Sequence, residues 1–275
     1  MDAAVHSSIL TSPPGGPESL FGVGPLIADP GLARTSMPTG PWLRGPGDRL
    51  SPAGLGVLLD DVLGQAVLSG RAAGCWAVTT ELNVDVVAPL PVDGQRVDAS
   101  ASLVHLDDAG GLAQAEARDA AGRCLARATT WLRFVPGVPD AAVNPAPLAE
   151  VVARGPRLSD LLRVPADETG RLKLPGRPDL GNPRGVLHGG VLFCLAVLSA
   201  EGVMSGSGLN TASVRIVYLR PAYGDLTFEP ALVHRGRSLG VTRVDVRNAA
   251  GALCTTATIS ARSAAGPVAE AGQPG

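Results

Sequence analysis

The chain has 275 residues, 45% hydrophobic and 17% charged, which is enough apolar material for one large domain or two of medium size. Its net charge of −2 and aromatic content of 3% exclude general nucleic-acid binding, which needs a basic face or a stacking platform. The four cysteines, Cys75, Cys124, Cys194 and Cys254, have neither C-x-x-C spacing nor a histidine at zinc-ligand spacing. They read as buried free thiols in a reducing cytoplasm, with no metal site implied.

Residues 1–20 are rich in Pro, Gly and Ser and read as a loose arm with no signal-peptide pattern. From 21 to 50, apolar patches broken by Pro38, Pro41 and Pro46 predict short strands and turns around Trp42. Ser51-Pro52-Ala53-Gly54 then opens a helix: Ser51 caps, Pro52 suits the first turn, and Leu55, Leu58, Leu59, Val62 and Ala66 recur at helical spacing. On that wheel Asp60 falls well away from the apolar face and Asp61 nearer its edge. Gly70 and Gly74 stop the helix. Four strands follow, at Ala77–Pro89, Arg96–His105, Ala113–Asp119 and Arg123–Phe134, with turns at Asp107–Gly111 and Asp119–Gly122. A helix followed by four antiparallel strands is one α+β unit.

Residues 136–157 contain four prolines within Pro136–Pro147 and predict an extended linker. Leu148–Arg154 and Leu158–Leu162 read as short helical pieces. The second half then repeats the first. A Gly-bearing loop and apolar helix (Gly185–Met204) are followed by Thr211–Pro221, matching Thr79–Pro89. Ala231–His234 matches Ser102–His105, Val246–Gly251 matches Ala117–Gly122, and Leu253–Arg262 matches Cys124–Arg133. A period of about 130 residues is the size of a duplicated domain rather than of a solenoid repeat. The expected organisation is an arm (1–20), a first domain (21–135), a linker (136–157), a second domain (158–264) and a tail (265–275). The uncharged run between Arg184 and Glu201 is shorter than the roughly 20 apolar residues of a membrane span, so a soluble protein is expected.

The sequence Asn182…Gly185-Val-Leu-His188-Gly189-Gly190, the strand end Tyr218-Leu-Arg-Pro221 and the segment His234-Arg235-Gly236-Arg237-Ser-Leu239 together resemble the PaaI-like branch of the hotdog-fold thioesterases. The likeness spans about 158–262 and, more weakly, about 50–134. It implies an α+β fold of two tandem hotdogs, each a long helix wrapped by an antiparallel sheet, paired with active sites between them. Relatives carry an Asp or Glu nine positions after the motif histidine. Here that position is Val197, whereas the first repeat, aligned with Pro52, Ala53 and Gly54 against His188, Gly189 and Gly190, supplies Asp61. Each repeat lacks what the other has, so the resemblance implies one composite site, with the opposite pair of Val197 and Ser51–Gly54 inert.

Glycine lets a backbone N–H approach a ligand closely, and at a helix start that N–H is unpaired and positively biased. Gly189 is therefore the candidate oxyanion donor, helped by Asn182 and positioned by His188. Asp61 would be general base or nucleophile. The resemblance adds Thr79 as a residue orienting water, and Gly190, Arg235, Gly236 and Arg237 as neighbours of coenzyme A. Coenzyme A enters as part of the substrate, no other cofactor is implied, and further pairing of chains is the family habit. Bland readings stand beside these. Asp61 also suits a solvated helix edge, the Gly pair close packing, Asn182 a cap, and the two arginines a solvated hairpin. The leading function is hydrolysis of an acyl-CoA or acyl-carrier thioester. The alternatives are a non-catalytic acyl-CoA-binding or assembly module and, less favoured, a hotdog enoyl-CoA hydratase or dehydratase, whose Asn-to-His spacing differs from that of Asn182 and His188.

Overall fold

In a computed structural model of the chain, the described residues are 10–12, 16–71, 74–91, 93–137, 157–165, 167 and 169–263. The element order is β1 (Leu10–Ser12), α1 (Gly16–Phe21), β2 (Leu26–Asp29), β3 (Leu32–Pro38), α2 (Leu55–Leu68), β4 (Cys75–Val86), β5 (Arg96–Leu106), β6 (Gly110–Arg118) and β7 (Cys124–Pro136). There follow α3 (Leu158–Leu162), β8 (Leu172–Leu174), α4 (Gly189–Val203), β9 (Leu209–Tyr218), β10 (Leu226–Arg235), β11 (Leu239–Asn248) and β12 (Leu253–Ser263). The strands form one antiparallel sheet of 12 in the order β1-β2-β3-β5-β6-β7-β4-β9-β12-β11-β10-β8. Its centre is the β4–β9 pair, Glu81 opposite Val217 through Asp85 opposite Ser213. Outward from this pair the two halves run β4-β7-β6-β5 and β9-β12-β11-β10, one the image of the other about a pseudo-twofold axis. The chain is a double hotdog.

The duplication is recorded in backbone irregularities as well as in element order. A bulge shifts register at Val104 in β5 and at the matching Val233 in β10. A second falls at Thr80 of β4 and Ala212 of β9, and a third at Leu125 of β7 and Cys254 of β12. Bulges bend and twist a strand, so their recurrence gives both halves the same curl around their helices.

That curl is filled by α2 and α4, which pack against each other and against the sheet. In α2 the apolar stripe Leu55, Leu58, Leu59, Val62, Leu63 and Ala66 is fully buried. Every residue of α4 from Gly190 to Ala200 is buried, as expected of a helix apolar on all sides. The helices touch backbone to backbone: a Cβ on Gly190 would lie 2.5 Å from the Gly56 carbonyl oxygen, and one on Gly56 would lie 2.5 Å from that of Gly190. Among the described residues no helix is long and apolar enough to cross a membrane.

The loose-arm expectation is corrected where it falls on described residues. Leu10–Ser12 pairs with β2. The short helix α1 buries Gly16, Pro17, Leu20 and Phe21, with Phe21 edge-on to Trp42 at 6.0 Å between ring centres. Pro17, Leu20 and Phe21, at helical spacing and buried, outweigh the Pro/Gly/Ser composition around them. The rest of the arm, the linker core with its piece Leu148–Arg154, and the tail lie outside the described residues.

Candidate active site at the seam between the repeats

The segment leading into α4 is a tight turn followed by a cap. Asn182 Oδ1 accepts the Arg184 and Val186 N–H groups at 2.9 and 3.3 Å, and Gly185 closes the turn at φ 71°. Gly181 then bridges Leu187, and the His188 N–H donates to the Leu180 carbonyl at 3.0 Å. Asn182 is thus a turn-former, the Asx role its side chain suits. His188 is the N-cap of α4, its Nδ1 facing the Gly190 N–H at 3.0 Å.

The same construction precedes α2. Arg44 bridges Leu50, Asp48 takes the left-handed conformation at φ 61°, and the Ser51 N–H donates to the Leu43 carbonyl at 3.1 Å. Ser51 Oγ caps the helix by accepting from the Ala53 N–H at 3.1 Å. Each partner lies 137 positions before its counterpart, so the structural equivalent of His188 is Ser51 rather than Pro52. This one-residue slip moves the equivalent of Val197 from Asp61 to Asp60.

The geometry follows that register. Asp60 is only 9% exposed, against the helical-wheel expectation, because the second repeat covers the side of α2 that would face water in an isolated unit. Its Oδ2 accepts the Gly190 N–H at 2.9 Å and lies 3.4 Å from His188 Nδ1. Its Oδ1 accepts the Thr79 hydroxyl at 3.1 Å. A Cβ on Gly189 would sit 2.7 Å from Asp60 Oδ2, so only glycine lets the carboxylate this close. Among the described residues no acceptor is seated on the Gly189 N–H, while its carbonyl accepts the Tyr218 hydroxyl at 2.9 Å.

Behind His188 stands Glu18, delivered by α1, with Oε1 at 3.1 Å from Nε2. Burial opposes charge on the His188 ring, but Glu18, Asp60 and Asp61 overcome it and raise its pKa to about 9. The Gly190 N–H has two acceptors in reach, Asp60 Oδ2 and His188 Nδ1. It serves Nδ1 only while the ring is neutral, and is left to Asp60 when that nitrogen carries a proton. Asp61 does not take the expected contact with the loop. Its carboxyl is raised to about 8 by burial and by the charges of Glu18 and Asp60, with His188 pulling the other way.

The structure therefore gathers Thr79, His188, Gly189 and Gly190 and adds Asp60, Glu18 and Tyr218. Aligning the two caps, Ser51 with His188, is the sequence signal that singles out Asp60. For Glu18 there is none, since only the folding of α1 over the seam brings it in. The hairpin of Arg235, Gly236 and Arg237 does not converge on His188. The Arg235 guanidinium donates to the Val203 carbonyl at the far end of α4, roughly 20 Å away at 1.5 Å per residue. Among the described residues no cluster of three or more His, Cys, Asp or Glu side chains could hold a metal ion.

Comparison with known proteins agrees with this architecture. Residues 184–255 match the family model of the thioesterase superfamily. No curated protein matches the chain in sequence. Among solved structures, an acyl-ACP thioesterase from Bacteroides thetaiotaomicron superposes with TM-score 0.59 at 11% identity, covering 84% of this chain and 98% of that one. A 12:0-ACP thioesterase from Umbellularia californica gives 0.57 at 13% identity, covering 84% and 94%. An acyl-CoA thioesterase II from Mycobacterium marinum gives 0.55 at 10% identity, covering 94% and 99%. The shared property is the fold, two hotdogs in one chain.

Proposed function

We propose that the chain hydrolyses an acyl thioester, carried on coenzyme A or an acyl carrier, at the single composite site between its repeats. The observation that carries this reading is the 2.9 Å hydrogen bond from the Gly190 N–H to Asp60 Oδ2, which joins the start of α4 to the second turn of α2, 130 residues apart in sequence. The superfamily match over 184–255 and the names of the similar structures support thioesters as the substrate class.

In this reading the thioester carbonyl oxygen lies on the Gly189 N–H at the positive end of α4, a preorganised donor worth roughly 3–4 kcal/mol in such sites. Asp60 takes a proton from water as the water oxygen bonds to the carbonyl carbon. Collapse of the tetrahedral intermediate breaks the C–S bond, and His188, charged through Glu18, gives its proton to the departing sulfur. Thr79 fixes the Asp60 carboxylate through Oδ1. Asp61 is the neighbour whose burial keeps it protonated near neutral pH, so it does not compete as the base.

The test is a panel of acyl-CoA and acyl-carrier thioesters assayed with wild type, Asp60→Asn, Asp61→Asn and His188→Ala. Asp60→Asn and His188→Ala should each lose at least about 100-fold in kcat, with Asp61→Asn losing far less. Full activity in Asp60→Asn would overturn the mechanism. Binding of acyl-CoA without turnover of any thioester would instead favour the binding-module alternative.

A further inference from the structure

Gly64 stands in the interior of α2, where glycine weakens a helix. Close packing accounts for Gly56 but not for Gly64, because a Cβ on Gly64 would meet nothing within 4 Å. The pseudo-twofold shows where that open space lies. In the register that matches Ser51 with His188 and Asp60 with Val197, the counterpart of Gly64 is Glu201 of α4. Each lies one helical turn beyond Asp60 or Val197. Glu201 Oε1 accepts the hydroxyl of Thr211, the counterpart of Thr79, at 2.8 Å. Its Oε2 reaches the turn before Ser51, 2.7 Å from where a Cβ on Gly45 would sit. A side chain at position 64 would by symmetry extend toward Thr79 and the turn before His188. That ground is left clear at the catalytic end.

A second small-for-large exchange falls beside the first. Leu209 lines one recess with Glu201, Met204 and Thr211. Its counterpart in β4 is Ala77, which shares a face of the strand with Thr79 as Leu209 does with Thr211. At the far end Glu201 and Leu209 leave a free volume of about 20 Å³, room for one water. At the catalytic end Gly64 and Ala77 remove about eight non-hydrogen atoms from the same place, more than a packed interior leaves vacant without a use. Thr79 is accordingly half-buried, whereas Thr211 is buried. One turn beyond Gly64, Leu68 continues the line with a partly buried apolar side chain.

We propose that Gly64 and Ala77 form the slot for the acyl chain and set its size, the carbons next to the thioester carbonyl running from Asp60 past Gly64 toward Leu68. The choice of ligand rests on the thioesterase reading of the site. A glutamate side chain, which fills this place at the other end, has about five non-hydrogen atoms, as many as carbons 2–6 of a straight hexanoyl group. The slot thus takes an unbranched apolar acyl group of at least that length, and Gly64 is a specificity-determining residue.

Two 2-oxoalkyl thioethers of coenzyme A, which keep the carbonyl but have no acyl C–S bond to hydrolyse, mimic acetyl and hexanoyl thioesters. Titrated calorimetrically into the full chain, the hexanoyl mimic should bind the wild type at least about tenfold more tightly than the acetyl mimic. Gly64→Leu should cut that ratio about tenfold, and Gly64→Ala, which by itself favours the helix, about threefold. Far-UV circular dichroism checks folding, and Gly64→Ala decides if Gly64→Leu does not fold. An unchanged ratio in the folded variants, a wild-type ratio near one, or no binding of either mimic overturns the proposal. Hydrolysis measured on the same samples keeps the two readings apart. A ratio that falls as expected without turnover of any thioester would sink the hydrolase and leave the slot standing. Turnover with the ratio unchanged would do the reverse.

Discussion

Asp60 Oδ2 sits 2.9 Å from the Gly190 N–H and 3.4 Å from His188 Nδ1, so the protonation of one imidazole decides which donor the carboxylate keeps. Glu18 is the largest influence favouring that proton. Because it acts through His188 rather than on the substrate, it is a positioning residue, and its signature is a pH profile. Glu18→Gln should move the alkaline limb of kcat/KM to lower pH by about two units and cut the rate at pH 8 about tenfold, with smaller change at pH 6. An unshifted profile would show that Glu18 only holds α1 in place. Position 189 is as constrained as any charged one: Gly189→Ala puts a methyl 2.7 Å from Asp60 Oδ2, and thioester turnover should fall with it.

At the scale of elements, the contact between α2 and α4 brings the site together. Gly56 and Gly190 allow the two helix backbones to touch, which sets Asp60 one turn along α2 against the start of α4. Gly56→Ala should cost about 2–3 kcal/mol, because the methyl meets a carbonyl 2.5 Å away that cannot rotate aside. Urea unfolding checks this, and a cost under 0.5 kcal/mol would mean the helices slide apart freely. The caps explain why the pattern reading stopped one residue short. Ser51-Pro52-Ala53-Gly54 offers Pro52 as a visual match to His188, but the atom that bonds the second N–H onward is Ser51 Oγ, as His188 Nδ1 does in α4. The strands and both long helices were legible in the chain because alternation and 3.6-residue spacing are local. The pairing of Asp60 with a loop 130 residues away is not.

Across the whole molecule, β4 and β9 carry the sheet from one repeat into the other, with Arg215 and Asp85 paired over the join at 2.8 and 2.9 Å. All three tryptophans, Trp42, Trp76 and Trp131, belong to the first half. Tryptophan fluorescence and far-UV circular dichroism should nonetheless report one coincident urea transition. A separate, later loss of dichroism would show that the repeats fold independently. Three raised pKa values add a pH signature: Glu201 to about 7, Asp61 to about 8 and His188 to about 9. Each group binds its proton more tightly when folded. Its stabilisation is therefore complete below the unfolded pKa and lost as pH rises through the folded one. Thermal stability should decline between about pH 5 and pH 9, and Glu201→Gln should recover on the order of 2 kcal/mol at pH 8, after allowance for partial solvent access.

By itself the sequence determined the duplication, the α+β class and the positions of the two long helices and the long strands around them, because these rest on periodicity, turn residues and self-similarity within a chain. It also singled out the His188-Gly189-Gly190 helix start, whose residue types state their chemistry without reference to anything distant. The tertiary structure decided which carboxylate answers it, that α1 brings Glu18 to the far side of the imidazole, and that Glu201 occupies the opposite end of the seam. Those choices depend on how two helices register across a pseudo-twofold axis, and a one-residue turn of either helix rotates a side chain by about 100°.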